Sequence, residues 1–261
     1  MAELVKEHER VDDLYRCGYR MIQDPARFCF GMDAVLLADF ARAYPGEAVM
    51  DLGTGTGIIP TLMAARCPGT SYVGLELQEE MAEMAARSAA LNGLEDRLQI
   101  RQGDIRRVRE QFAAGSFRAV TANPPYMKVR GGLQNREDAL SIARHETHCS
   151  LRDVMEAAAY LLNSRGRLYL VHRPLRLPEI FSEMKRVHLE PKRLRMVHPY
   201  RDQEPAQVLI EGVLQGGPEL RVMPPLIVYE RPGVYTKELL RIYGMETAEQ
   251  EEKQDDQYSS L

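Results

Sequence analysis

Residues 49–57, Val-Met-Asp-Leu-Gly-Thr-Gly-Thr-Gly, leave this chain few folds to choose from. Ala48 to Leu52 reads as a short buried strand, and the alternating glycines permit a turn tight enough to pass directly into a helix running from Gly57 to about Arg66. A strand that feeds a helix so directly opens a βαβ unit, whose second strand must lie parallel to the first. The pattern then repeats. Further strands are predicted at Ser71–Leu77, Arg97–Arg101, Phe117–Ala122 and Gly166–His172, with helices at Glu79–Asn92, Ile105–Phe112, Leu151–Leu162 and Pro178–Val187. Arg193–Val197 and Ala206–Leu214 read as two final strands folded back through a turn at Tyr200–Pro205. The expected fold class is α/β: a Rossmann-like, doubly wound sheet of seven strands, the last one antiparallel, with helices on both faces. Ahead of the first strand, Asp33–Arg42 has apolar residues at helical spacing, and Asp33 is expected as the N-cap.

Ligands of open α/β sheets bind at the carboxyl ends of the strands. Several candidates fall there. Gly53, Gly55 and Gly57, with Thr54 between them, let backbone approach a ligand closely. Glu76 closes the second strand 19 residues after Gly57, where a carboxylate can accept both ribose hydroxyls of an adenine nucleoside. Asp104 follows the third strand at the same edge and can receive the adenine amino group; Leu77 and Ile105, next in sequence, join them as cofactor-binding candidates. Asp51 decides which nucleotide is held. A carboxylate at this strand end would repel the pyrophosphate of a dinucleotide, whereas S-adenosylmethionine carries a sulfonium and an ammonium in that region.

Asn123-Pro124-Pro125-Tyr126 directly follows the fourth predicted strand. Each proline fixes its own φ and lacks an N–H, and the residue before a proline is held extended. The turn is therefore stiff and rich in acceptors, with an aromatic face at Tyr126 and no strong nucleophile. It suits a flat group bearing an NH2, held by Asn123 and Pro124 and stacked on Tyr126.

The net charge of −4 hides an asymmetry. Residues 246–261 carry −5 and the first thirteen −3, which leaves +4 on residues 14–245. Arg165 to Arg201 contains ten Lys/Arg against three Glu, a candidate phosphate-binding surface for RNA. The acidic, Gln-rich tail reads as disordered. Cys17, Cys29, Cys67 and Cys149 form no CxxC pair, and His145-Glu146-Thr147-His148 lacks the spacing that puts two ligands on one helix face, so no metal site is expected. No apolar run reaches the ~18 residues of a membrane span. A charged N-terminus does not read as a signal peptide, and a cytoplasmic location is expected.

Through these motifs the sequence resembles the class I S-adenosylmethionine-dependent methyltransferases, in the amino-methylating branch bearing Asn-Pro-Pro-Tyr. It more closely resembles the bacterial tRNA1(Val) adenine-37 N6-methyltransferase family, through residues 30–37 (Phe-Gly-Met-Asp-Ala-Val-Leu-Leu), the loop from Asp51 to Gly57, Asn123 to Tyr126, Arg144-His145-Glu146, Tyr235-Thr236 and Ile242-Tyr243-Gly244. The resemblance implies that Asp51, Gly53 and Gly55 hold the methionine moiety, Glu76 the ribose and Asp104 the adenine. It also implies that Phe30 and Asp33 close the cofactor pocket and that Asn123 and Tyr126 engage the target base. The substrate would then be an adenine of a tRNA anticodon loop. A ribosomal RNA guanine-N2 methyltransferase and a protein-glutamine N5-methyltransferase use the same pocket chemistry and are the alternatives. The expected organisation is an extension with a lid helix over residues 1–46, a methyltransferase domain over 47–244 with a substrate-side insertion at 128–150, and a tail at 245–261.

Overall fold

The computed structural model describes residues 4–27, 29–124 and 149–245. Pro125, Tyr126, the Arg144-His145-Glu146 motif, most of the 128–150 insertion and the acidic tail lie outside the described residues. The chain opens with an antiparallel hairpin, β1 (Arg10–Asp13) and β2 (Arg20–Gln23), which the sequence reading did not anticipate. Its four-residue strands are too short to carry a clear period-two signal. Then come α1 (Met32–Phe40), β3 (Ala48–Leu52), α2 (Ile58–Arg66), β4 (Ser71–Glu76), α3 (Glu79–Leu91) and β5 (Leu98–Gln102). A 3-10 turn at Ile105–Glu110 replaces the expected helix, and β6 (Phe117–Ala122) follows. The remaining large elements are α4 (Leu151–Leu161), β7 (Leu162–His172), α5 (Leu177–Arg186), β8 (Leu189–His198) and β9 (Gln207–Leu214). The C-terminal part contributes two-residue strands β10 (Arg221–Val222) and β11 (Leu226–Ile227), a small hairpin of β12 (Tyr229–Arg231) and β13 (Val234–Tyr235), and α6 (Lys237–Tyr243).

The central sheet has the order β10-β8-β9-β7-β6-β3-β4-β5, with β11 also paired to β8. Its core is the expected seven strands, β3 to β9. Strands β3 to β7 are parallel, and β9 lies antiparallel between β7 and β8. The sheet itself has nine strands, because β10 and β11 add two residues each along β8. From β3 the chain winds outward through β4 and β5, then returns to the other side of β3 as β6. The β3–β6 boundary is therefore the topological switch point, where a crevice opens at the carboxyl edge.

Period-two alternation sends Val49, Tyr72, Ala119 and Tyr169 into a core with α1 and α2, and Met50, Leu52, Val120 and Leu168 into a second core with α4 and α5. Both faces of the sheet are thus covered. Six of the nine residues of α1 are buried, in the core that it shares with α2, β7 and β9. Asp33 is not its N-cap. Gly31 holds that position, and Asp33 sits in the first turn, where its Oδ1 accepts the Ala34 amide at 2.9 Å. A carboxylate in the first turn still faces the positive end of the helix dipole.

Side chains tie the peripheral segments down. Asn92 accepts the Arg20 amide at 2.8 Å and donates to the Arg20 carbonyl at 2.7 Å, and the Ser88 hydroxyl accepts the Ile22 amide at 3.1 Å. These bonds use polar groups that an edge strand would otherwise leave exposed. Helix α6 is capped by Thr236, whose Oγ1 accepts the Leu239 amide at 3.3 Å while donating to the Ile227 carbonyl at 2.7 Å. It ends at Gly244 with φ 77°, and a Cβ there would collide with the Tyr15 carbonyl oxygen.

Candidate active site

The in-register pairing of β3 with β6, Asp51 opposite Thr121 and Leu52 opposite Ala122, brings the two principal motifs together. One residue beyond that last pair, the glycine loop leaves β3 and Asn123-Pro124 leaves β6. They therefore stand side by side at the carboxyl edge, at the switch point. All three loop glycines take left-handed backbone, Gly53 at φ 69°, Gly55 at 54° and Gly57 at 82°, a region costly for residues with a Cβ. The turn is fastened by the Gly53 and Thr54 amides, which both donate to the Leu75 carbonyl, at 2.9 and 3.0 Å.

Asp51 is 1% exposed. Its Oδ1 accepts the Thr121 hydroxyl at 2.6 Å, while Oδ2 is buried with no partner among the described residues. The Thr54 hydroxyl is near enough to favour the charged form, yet the two groups do not reach hydrogen-bond geometry. Burial dominates and pushes the Asp51 carboxyl up to about 7; the Thr121 and Thr54 hydroxyls oppose that rise and the Glu76 charge adds to it. A buried carboxylate oxygen without a donor is costly, and a cationic group bound beside it would relieve the cost.

Glu76, at the end of β4, is 7% exposed. Its Oε2 accepts the Gly55 amide at 2.9 Å and its Oε1 the Gln78 amide at 3.0 Å. Each oxygen keeps a lone pair for a further donor. Leu77 beside it is 44% exposed, an apolar side chain at the rim. Asp104 caps the 3-10 turn by accepting the Arg106 amide at 2.8 Å. The Arg106 guanidinium also grips it and holds its carboxyl below the usual aspartate range. Ile105 approaches within 3.9 Å of where a Gly53 side chain would begin. Phe30 is half-buried against the core, and its amide donates to Gln23 Oε1 at 3.0 Å.

The fold thus gathers Asp51, Gly53, Thr54, Gly55, Gly57, Glu76, Leu77, Asp104, Ile105, Asn123 and Pro124 along one edge, with Phe30 and Asp33 at the α1 side; Tyr126 lies outside the described residues. Two contributors were missed in the sequence. Thr121 had a signal, as the one polar residue in the buried stretch Ala119–Ala122. Gln23 had none, because its role in holding the Phe30 segment depends on a contact made only after folding.

The basic run is distributed rather than pooled. Strands β7 and β8 cross the whole sheet, so Arg165 and Arg167 lie toward the amino end while Arg173 and Arg201 emerge at the carboxyl edge. Carboxylates from outside the run neutralise much of it: Glu47 pairs with Arg167, Glu156 with Arg186, Glu211 with Arg193 and Glu238 with Arg195. Arg176 and Lys185 pair with Glu179 and Glu190. Among the described residues no group of side chains has the arrangement of a metal site, and no helix is long and apolar enough to cross a membrane.

Known proteins resemble this arrangement. A methyltransferase domain family matches residues 49–145. A tRNA1(Val) (adenine(37)-N6)-methyltransferase of Porphyromonas gingivalis is 30% identical over 223 residues, 81% of this chain and 86% of that protein. Among solved structures, a predicted O-methyltransferase from Agrobacterium tumefaciens superposes with a TM-score of 0.67 at 24% identity, covering 82% of this chain and 97% of the other. A geranyl diphosphate C-methyltransferase from Streptomyces coelicolor, solved with S-adenosyl-L-homocysteine, gives 0.52 at 16% identity over 81% of this chain and 94% of the other. Both structural likenesses concern the fold alone.

Proposed function

The chain belongs to the tRNA1(Val) (adenine(37)-N6)-methyltransferase family, and from that premise we propose that it methylates the exocyclic amine of an adenine in a tRNA anticodon loop, in the cytoplasm, using S-adenosylmethionine. The observation that carries this reading is the β3–β6 register, which sets the glycine loop against the Asn-Pro turn. When bound, S-adenosylmethionine supplies a methyl group on a positively charged sulfur. In this reading Asp51 faces the cationic methionine portion with the unpartnered Oδ2, and Gly53, Thr54, Gly55 and Gly57 form the backbone cradle beneath it. Glu76 uses its spare lone pairs for the ribose hydroxyls. Asp104 shares its carboxylate between Arg106 and the adenine amino group, with Leu77 and Ile105 against the base. Phe30 and Asp33 close the α1 side.

An exocyclic amine is a poor nucleophile because its lone pair is delocalised into the ring. The Asn123 side-chain oxygen and the Pro124 carbonyl would each accept one N–H, drawing the nitrogen toward tetrahedral geometry and freeing its lone pair. Such acceptors, fixed before the reaction, stabilise positive charge as it develops on nitrogen. Tyr126 would stack on the base, which enters unpaired; a loop adenine costs little to unstack. Of the basic run, Arg173 and Arg201 would meet phosphates at this edge.

The test is Asn123→Ala with labelled S-adenosylmethionine and an unmodified tRNA1(Val) transcript. Methyl transfer should fall by about 10²- to 10³-fold while cofactor affinity stays within a few-fold, and nucleoside mass spectrometry of the wild-type product should show N6-methyladenosine. Undiminished transfer in the variant, or label that enters protein rather than RNA, overturns the reading.

A further inference from the structure

Four tyrosines from the end of β8 onward form a continuous stack. Tyr200 lies 5.4 Å from Tyr229 between ring centroids, Tyr229 lies 5.1 Å from Tyr235, and Tyr235 lies 6.3 Å from Tyr243, with interplanar angles of 29°, 24° and 6°. Such offset stacking is favourable in itself. Its place in the fold is more informative. Strand β8 runs parallel to β7, since both are antiparallel to β9, so its last residue, His198, and the following Tyr200 emerge at the carboxyl edge. Strand β11 pairs in parallel with Val197–His198, and the Val228 and Tyr229 amides donate to the His198 and Pro199 carbonyls, both at 2.9 Å, so Tyr229 emerges there too. At the far end, Tyr243 is half-buried against the same core as Phe30 and Met32, on the helix α6 that contacts α1. The stack therefore borders the mouth of the site from the β8 turn to the segment beside Phe30.

The cofactor candidates Glu76 and Asp104 lie on the β4–β5 side of the switch point, and the tyrosines lie on the opposite side, beyond Asn123. Three strand spacings separate β6 from β8, about 14 Å, a span of a few nucleotides. Tyr200 is the terminal ring among the described residues, half-buried, with one face on Tyr229. Its turn is braced by His198 Nδ1 against the Gln203 carbonyl at 2.7 Å. Arg201 follows directly and Arg173 ends the β7 side of the same edge. Asp202 and Glu204 share the turn, so the aromatic stack rather than net charge distinguishes this surface.

We infer that the Tyr200 end of this stack is a platform for an unpaired nucleotide flanking the target adenine, with Arg201 and Arg173 beside the connecting phosphates. The inference rests on the RNA substrate proposed above. Stacking of a base on an aromatic ring is sequence-tolerant and rigidly directional, which would fix the approach of a splayed loop while Asn123 selects the amine. In the full-length protein with an unmodified tRNA1(Val) transcript, Tyr200→Ala should raise KM for RNA about tenfold, with kcat and KM for S-adenosylmethionine within about twofold. Tyr200→Phe, which keeps the ring, should match wild type. A transcript carrying 2-aminopurine beside the target adenine should be quenched on binding to wild type and not to Tyr200→Ala. Should the alanine variant melt, the wild-type quenching and the phenylalanine variant still decide. Unchanged RNA KM in Tyr200→Ala, equal losses in the alanine and phenylalanine variants, or no quenching in wild type overturns the platform alone. A wild-type protein that neither binds nor methylates the transcript overturns the RNA reading itself.

Discussion

The Thr121 hydroxyl is the one protein donor that meets Asp51 in hydrogen-bond geometry among the described residues, so removing it should move cofactor affinity along the pH axis. Asp51 keeps its proton in the folded protein up to about pH 7, against 3.8 for an ordinary aspartate. The folded pKa is raised, so stability is fully present below 3.8 and is lost as pH rises through 7, by about 4 kcal/mol. A cation bound against Oδ2 offsets that loss, so wild-type affinity for S-adenosylmethionine should rise with pH and level off above about 7. A hydrogen bond to a charged acceptor contributes about 1.5–3 kcal/mol. Thr121→Val, nearly the same shape, should therefore raise the Asp51 pKa by a further ~1–2 units. At pH 7 the ionised fraction falls from about half to roughly 1–10%, and affinity should drop about 5- to 50-fold, narrowing to about twofold or less near pH 9. Titration calorimetry from pH 6 to 9, with circular dichroism to confirm folding, measures this. An affinity gap that does not change with pH would refute the coupling.

Two further perturbations test the frame around the site. Gly244→Ala puts a side chain on left-handed backbone and against the Tyr15 carbonyl; it should cost about 2–3 kcal/mol and lower Tm by roughly 5–10 °C by calorimetry. An unchanged Tm would mean that the contact of α6 with the N-terminal hairpin contributes nothing. His172, 1% exposed at the end of β7, is pushed down to about 4, first by burial and then by Arg176. The unfolded chain therefore takes up this proton near pH 6.5 and the folded one only near 4, so this contribution to stability disappears as pH falls across that window. In urea titrations the stability gap between wild type and His172→Gln should shrink by about 3 kcal/mol between pH 7 and 4; a constant gap would remove the assignment.

Elements with strong local signals were legible. The glycine loop, the apolar strands and the Asn-Pro turn constrain their own backbone, through left-handed φ at Gly53, Gly55 and Gly57 and the ring of Pro124, whatever the rest of the chain does. What failed was short or depended on remote partners. The N-terminal hairpin strands have only four residues each, and β10, β11 and β13 only two. Strands β10 and β11 depend on an edge of β8, and β2 packs on α3, partners that no local window contains; β13 pairs with β12 in a hairpin too short to show a period. The expected positive surface over Arg165–Arg201 was a count along the chain, and the fold brings Glu47, Glu156, Glu211 and Glu238 to it from elsewhere.

By itself, then, the sequence determined the α/β class, the switch-point strand with its glycine turn, and the chemistry each motif can offer, because backbone permission and side-chain functional groups are local properties. Only the tertiary structure decided which groups share an environment. The β3–β6 register hydrogen-bonds Thr121 to Asp51 and buries both, so an ordinary carboxylate becomes one that titrates near neutrality. The return of the C-terminal segment onto β8 aligns four tyrosines up to 43 residues apart into one stack. Desolvation and stacking depend on distance in space, and contacts between remote segments set that distance.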